Sequence, residues 1–142
     1  MKSPAEVEFL EDIRVLIYRP RGLLNQNSIN KIITVIDNLE ASTEEPFNRF
    51  FDGLGLTEVE LNFRYMIHAS LYRRQSYSGR PEVKSAILAR HKTLIHYAKL
   101  HALLTEGSSI KARIFDQAEE AARWLNVPVE RLIPDGSERG SL

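Results

Sequence analysis

Val83-Lys84-Ser85-Ala86-Ile87-Leu88-Ala89 decides the fold class of this chain. The run is β-compatible without strict in/out alternation, is entered through Gly79-Arg80-Pro81 and is left through Arg90-His91-Lys92. A short run of this kind, bounded by turn chemistry, reads as a strand covered on both faces. Such a strand needs other layers above and below it. A helical pattern, a glycine, a second short strand and another helical pattern follow, which makes a β-α-β-α unit.

Working back from that unit, Val7 to Tyr18 alternates twice around Glu11-Asp12, as two strands joined by a tight acidic turn, or one long bent strand, would do. Pro20-Arg21-Gly22 then breaks the chain. Asn27 or Ser28 is expected to cap a helix whose residues Ile29, Ile32, Ile33, Ile36 and Leu39 fit the i, i+3, i+4, i+7 template. That helix ends before Glu44-Glu45-Pro46, because proline disfavours helix at the residue preceding it. Phe47 to Asp52 reads as a short aromatic strand and Asp52-Gly53-Leu54-Gly55-Leu56-Thr57 as a loop. Thr57 and Glu60 match a capping box, which predicts a helix from Glu58 with a buried stripe of Val59, Phe63, Met66 or Ile67, and Leu71. Arg73-Arg74 suits its C-terminal end.

Working forward, Thr93 is expected to cap a helix with a broad arc of Leu94, Ile95, Ala98, Ala102, Leu103 and Leu104, stopped at Gly107. Ile110, Ala112 and Ile114 alternate with Lys111 and Arg113, the pattern of a half-exposed strand near a sheet edge. Asp116 is expected to cap the last helix, whose stripe of Ala118, Ala121, Ala122 and Leu125 allows close approach to a sheet; Asn126 and Pro128 end it. Val129 to Ile133 is expected to pack loosely, and residues 135–142 to form a disordered polar tail. The expectation is a single α/β domain over residues 1–134 in the order ββαβαβαβα. It has a mixed central sheet of about five strands and about four helices.

Composition narrows the function classes. A chain of 142 residues is sized for one domain, and its 43% hydrophobic and 27% charged residues are those of a globular protein. Nineteen basic residues balance 19 acidic ones, so no global field draws nucleic acid or an anionic membrane. Absence of cysteine excludes disulfides, thiolate zinc sites and cysteine nucleophiles. No apolar stretch approaches the ~18–20 residues of a membrane span. Met1 to Glu6 runs into an acidic segment without a signal-peptide core, and a cytoplasmic location is expected.

The strand Val83–Ala89, the helix Thr93–Thr105, and Ile110-Lys111-Ala112-Arg113-Ile114-Phe115-Asp116 leading to Ala121-Ala122-Arg123-Trp124-Leu125 carry a resemblance. In this order they are similar to the SpoIIAA-like branch of the STAS superfamily (sulfate transporter and anti-sigma factor antagonist), over residues 7–125. The resemblance implies a central mixed sheet with helices mainly on one side. It also implies a non-enzymatic module that acts by binding partner proteins, in some members under phosphorylation control, and for some SpoIIAA-like members an apolar ligand. The phosphoswitch is an Asp-Ser-type motif opening the helix after the third main strand. The corresponding region here, Asp52-Gly53-Leu54-Gly55-Leu56-Thr57-Glu58-Val59-Glu60, has no serine, and Thr57 is its sole hydroxyl. The usual phosphoserine switch is therefore missing.

No catalytic or metal constellation stands out from the residues. His91, His96 and His101 recur every five positions, and five helical steps turn about 140° beyond a full circle, so they diverge rather than converge on a metal. Tyr65, Tyr72, Arg73, Arg74, Tyr77 and Arg80 interleave rings and cations as a single-strand binder would, but zero net charge favours a solvated helix end. Gly53-Leu54-Gly55 lacks the lysine of a Walker loop and the third glycine of a dinucleotide fingerprint. The chain holds no nucleophile-elbow pattern, and Glu58 and Glu60 fit first-turn carboxylates better than a catalytic pair.

The expectation is therefore a non-enzymatic regulatory or protein-interaction module with no cofactor and no metal. Its binding patch lies at strand ends and comprises Asp52, Gly53, Gly55, Thr57, Arg90 and His91. The expected partner is a protein, with a second copy of the chain included, held through helices or through Val127–Ile133. The alternative is a small apolar ligand or lipid, from the supply at Phe47, Phe50, Phe51, Leu54, Leu56 and Phe63. A hollow beneath the Asp52–Thr57 loop would favour it.

Overall fold

The computed structural model describes residues 6–133; the expected tail at 135–142 lies outside them. In chain order come β1 (Val7–Leu10), β2 (Val15–Tyr18), β3 (Gly22–Asn25), α1 (Gln26–Ser42), β4 (Asn48–Asp52) and β5 (Leu56–Glu60). They are followed by α2 (Phe63–Ser76), β6 (Val83–Leu88), α3 (Lys92–Thr105), β7 (Ile110–Phe115), α4 (Ala118–Leu125) and α5 (Val129–Leu132). Five strands form one mixed sheet in the order β1-β2-β4-β6-β7. β1 runs antiparallel to β2, and the other neighbours pair in parallel.

β6 lies between β4 and β7, and Val83, Ala86, Ile87 and Leu88 are all buried, as a strand covered on both faces requires. One face presents Val15, Ile17, Phe50, Ala86 and Leu88 to Ala121, Ala122 and Leu125 of α4. Alanines there let the helix approach the sheet closely. The other face presents Leu16, Tyr18 and Phe51 to α1, and Ile87 to α3. The three long helices share that second face, while α4 and α5 cover the first.

The structure differs from the expectations at several boundaries. Leu56 to Glu60 is a strand, not the first turn of a helix, and pairs in parallel with Gly22–Asn25 in a separate two-stranded sheet. The Thr57/Glu60 spacing fits a capping box, but Leu56-Thr57-Glu58-Val59-Glu60 also carries the β-branched Thr57 and Val59, and its pairing with β3 is irregular in register between Gly22 and Leu23. Leu24 on the partner strand is fully buried, and that burial stabilises the strand pairing. The α2 helix starts instead after Asn62, whose Oδ1 accepts from the Tyr65 N–H at 2.8 Å.

Other caps shift by a few residues. Asn25 caps α1, with Ser28 reciprocating as the third helical residue. His91 caps α3 through Nδ1, which accepts from the Thr93 N–H. Gln117, not Asp116, precedes α4 and makes no side-chain cap bond; Glu119 and Glu120 in the first turn suit the helix dipole instead. Asn126 ends α4 in the left-handed conformation. Val129–Ile133 is not loosely packed. Leu132 is 0% and Ile133 2% exposed, Arg19 donates to the Leu132 carbonyl, and Arg131 forks onto Asp12 with two 2.9 Å bonds.

Candidate functional site

Between the second sheet face and the three long helices lies a hollow of about 150 Å³. Its floor is Leu16 and Tyr18 of β2, Arg49 and Phe51 of β4, and Ser85 and Ile87 of β6. Ile29, Ile32, Ile33 and Ile36 of α1 form one wall, the same stripe that made the helix legible. Met66 and Ala69 of α2, with Leu94, Tyr97 and Ala98 of α3, close it from the other side. Outside the hollow, two exposed hydrogen bonds tie α2 to α1: the Tyr65 hydroxyl donates to Asn30 Oδ1 and the Tyr72 hydroxyl to Asp37 Oδ2, both at 2.6 Å.

One end of the hollow is polar. Arg49 and Arg73 both line it, and both donate to Glu40 Oε2 from opposite sides, Arg73 at 2.9 Å. Arg73 also donates to Asp37 Oδ1 at 2.7 Å and to Ser76 Oγ at 3.1 Å. Arg49 lies against the rings of Phe47 and Tyr77, with its guanidinium carbon 4.6 Å and 5.1 Å from their centroids. Burial presses the Arg49 pKa down, with Glu40 acting against that and Arg73 adding to it. Close by, His101 lines the hollow, and its Nδ1 is 2.8 Å from Ser70 Oγ. Burial and the charge of Arg73 push the His101 pKa down to about 4. Burial likewise pushes the Tyr18 phenol up to about 12, so it stays protonated at neutral pH.

The strand-end residues singled out from the sequence lie elsewhere. Asp52 is 2% exposed; its Oδ1 accepts from the Leu54 N–H at 3.0 Å and its Oδ2 lies 3.8 Å from Arg19 Nε. Burial raises the Asp52 pKa, while the Leu54 N–H and Arg19 oppose that rise. Gly53 donates its N–H to the Leu88 carbonyl at 2.8 Å, tying this loop to the end of β6. A Cβ at Gly53 would lie 2.4 Å from Leu94 Cδ2 and 3.0 Å from Leu88 O. Arg90 donates from Nε to the Asp116 carbonyl, and His91 is the α3 cap. Asp52, Gly53, Arg90 and His91 thus gather at the carboxyl edge of the sheet. Thr57 stands apart on β5, donating to the Gly22 carbonyl, and Gly55 accepts from the Gly22 N–H.

The chain resembles a crystal structure of an uncharacterized DUF3478-family protein from Shewanella loihica, described as having a SpoIIAA-like fold. The two align with a TM-score of 0.54 over 84% of this chain and 89% of that one, at 15% identity. This chain has a SpoIIAA-like fold. No family model matches its sequence, and no curated protein matches it. At that identity the likeness shows the fold alone. No helix among the described residues is long and apolar enough to cross a membrane.

Within this SpoIIAA-like frame, sequence reasoning had missed Glu40, Arg49 and Arg73 as a site. Arg73 had been assigned to a solvated helix end and is 6% exposed. Of the three diverging histidines, His101 turns inward to Ser70. A signal was present. Glu40 continues the Ile29–Ile33–Ile36 stripe of α1, and Arg49 shares the strand parity of Phe47 and Phe51. An ionisable residue on an apolar stripe is a candidate for a buried partner. Of the apolar candidates, Phe51 lines the hollow, Phe50 and Leu54 pack on the opposite sheet face, Phe47 backs Arg49, Leu56 is core, and Phe63 is 52% exposed.

Proposed function

We propose that this is a non-catalytic binding module whose ligand is a small apolar molecule held between the sheet and α1, α2 and α3. The 150 Å³ hollow, walled largely by Ile, Leu, Met, Phe and Ala, is the observation that supports this reading. Protein interiors are close-packed, and an apolar cavity of ~150 Å³ is enough to take benzene. Binding rather than turnover is favoured by the state of the polar groups. Ser70 is 0% exposed and is not part of the cavity wall, and a histidine with a pKa of about 4 is a weak base at neutral pH.

Titration with benzene, followed by methyl NMR, tests this directly. The expected result is saturable shifts at Ile29, Ile32 and Ile87, abolished in Ala98→Leu, which fills the hollow and raises the melting temperature. No shift in the wild-type protein counts against the reading.

Protein interaction is the second reading, and a separate observation favours it. Phe63, Ile67 and Leu71 recur every four residues along α2 and are 52%, 38% and 45% exposed, with Leu103 of α3 at 66%. Large exposed apolar side chains aligned on one face mark an interaction surface. Leu71→Asp and Leu103→Asp should weaken capture of a partner, or self-association measured by sedimentation, without changing benzene binding.

A further inference from the structure

We infer that the ligand of this cavity is a small apolar carboxylate, its head group seated against Arg49 and Ser85. This deepens the cavity reading and rests on it. A guanidinium carries five N–H donors. Arg49 is only 7% exposed and its one hydrogen-bond partner among the described residues is Glu40, bonded through Nη2; Nη1 has no partner, and Nε is buried with none, so Nη1 is the donor open to a ligand. Buried donors in folded proteins nearly always have an acceptor, because leaving one without costs its full desolvation. Phe47 and Tyr77 occupy two sides of this guanidinium and offer it ring faces, not acceptors.

Inside the protein, Arg49 and Arg73 share one buried carboxylate, Glu40. Asp37 binds Arg73 only. The two acids match the two arginines in formal charge, so the donors left free on Arg49, not net charge, call for a further acceptor, and a planar carboxylate matches the guanidinium fork. Burial and Arg73 press the Arg49 pKa down; a bound carboxylate would act against both.

Ser85 supplies a second polar contact. It pairs in register with Arg49 on the neighbouring strand, so both side chains leave the same face of the sheet, and both line the cavity. Its hydroxyl makes no hydrogen bond among the described residues and is free to donate. Away from this end the wall is isoleucine, leucine, methionine and alanine, and the hollow is sized for a body of about six to eight carbons. A few convergent polar groups in an apolar pocket set a ligand's orientation and its class.

Calorimetric titration of the full chain with benzene and benzoate, and with octan-1-ol and octanoate, tests the inference. Each acid should bind roughly tenfold or more tightly than its neutral counterpart. The ¹⁵N resonance of the Arg49 Nε–H should move with benzoate and not with benzene. Ser85→Ala, a small change that preserves the fold, should cut the preference for benzoate over benzene several-fold. If benzene binds but benzoate binds no more tightly, or the Nε–H signal stays in place, the head-group assignment falls and the apolar cavity reading stands. If none of the four molecules binds, both fall.

Discussion

At the scale of single residues, the chain shows two kinds of constraint that a sequence displays unequally. Gly53 is held by space: any Cβ would press on Leu94 and on the carbonyl that accepts its N–H. Gly53→Ala should destabilise the fold by about 1–3 kcal/mol, read as a lower denaturation midpoint at unchanged slope. From the sequence the glycine is visible as a turn residue, but the contact that requires it is not. His101 shows the second kind. Its folded-state pKa of about 4 lies below the ordinary histidine value of 6.5, so between these values the unfolded chain binds a proton that the folded chain does not. Stability must therefore fall as pH drops through that window, by at most about 1.4 kcal/mol per pH unit from this group. The raised pKa of Asp52 works in the opposite sense just above the ordinary aspartate value of 3.8, so the comparison must be made against a variant. Denaturant melts of wild type and His101→Asn between pH 4 and 7 should differ in slope, the variant being flatter; identical slopes would contradict the burial of this ring. The five-residue spacing says that the three histidines diverge around the axis, but only the packing of α2 against α3 shows that His101 is the buried one.

At the scale of elements, periodicity was sufficient where one face of an element meets a large core. The isoleucine stripe of α1, the run of β6 and the alanine stripe of α4 were legible because burial there follows from pattern alone. Leu56 to Glu60 was not, because its Leu56/Val59 spacing and its capping box both fit a helix, and only its β-branched residues fit a strand. The choice is made by Gly22–Asn25, more than 30 residues away, which offers a pairing edge and buries Leu24. Local pattern does not contain that partner. The two assignments predict different costs. Asn62→Ala removes the α2 cap and should cost about 1 kcal/mol. Thr57→Ala, at an exposed strand position with one 3.3 Å bond, should change stability by less than ~0.5 kcal/mol. Thermal melts of the two variants would decide it, and a larger loss for Thr57→Ala would restore the helical assignment.

At the scale of the whole molecule, the five-stranded mixed sheet with helices on both faces places function in the space between layers. The β-α-β-α reading anticipated the layers, and hence the fold. It did not anticipate that α1 and α2 stand apart over β4, bridged by Tyr65, Tyr72 and Arg73, nor that Arg49 and Glu40 close one end of the gap. Cavities are differences between packed volumes, and no single stretch of sequence encodes them. The strand-end patch of Asp52, Gly53, Arg90 and His91 follows from topology and was locatable. There Asp52 and Gly53 are engaged in closing the loop onto β6, Arg90 reaches the Asp116 carbonyl and His91 caps α3. Native mass spectrometry of the chain purified from cells, followed by mass measurement of whatever denaturation releases, tests the central claim most directly. The account predicts a complex carrying one small organic acid with a short apolar body, lost in Ala98→Leu. A chain that flies at its bare mass, and stays there after incubation with benzoate and octanoate, would contradict it.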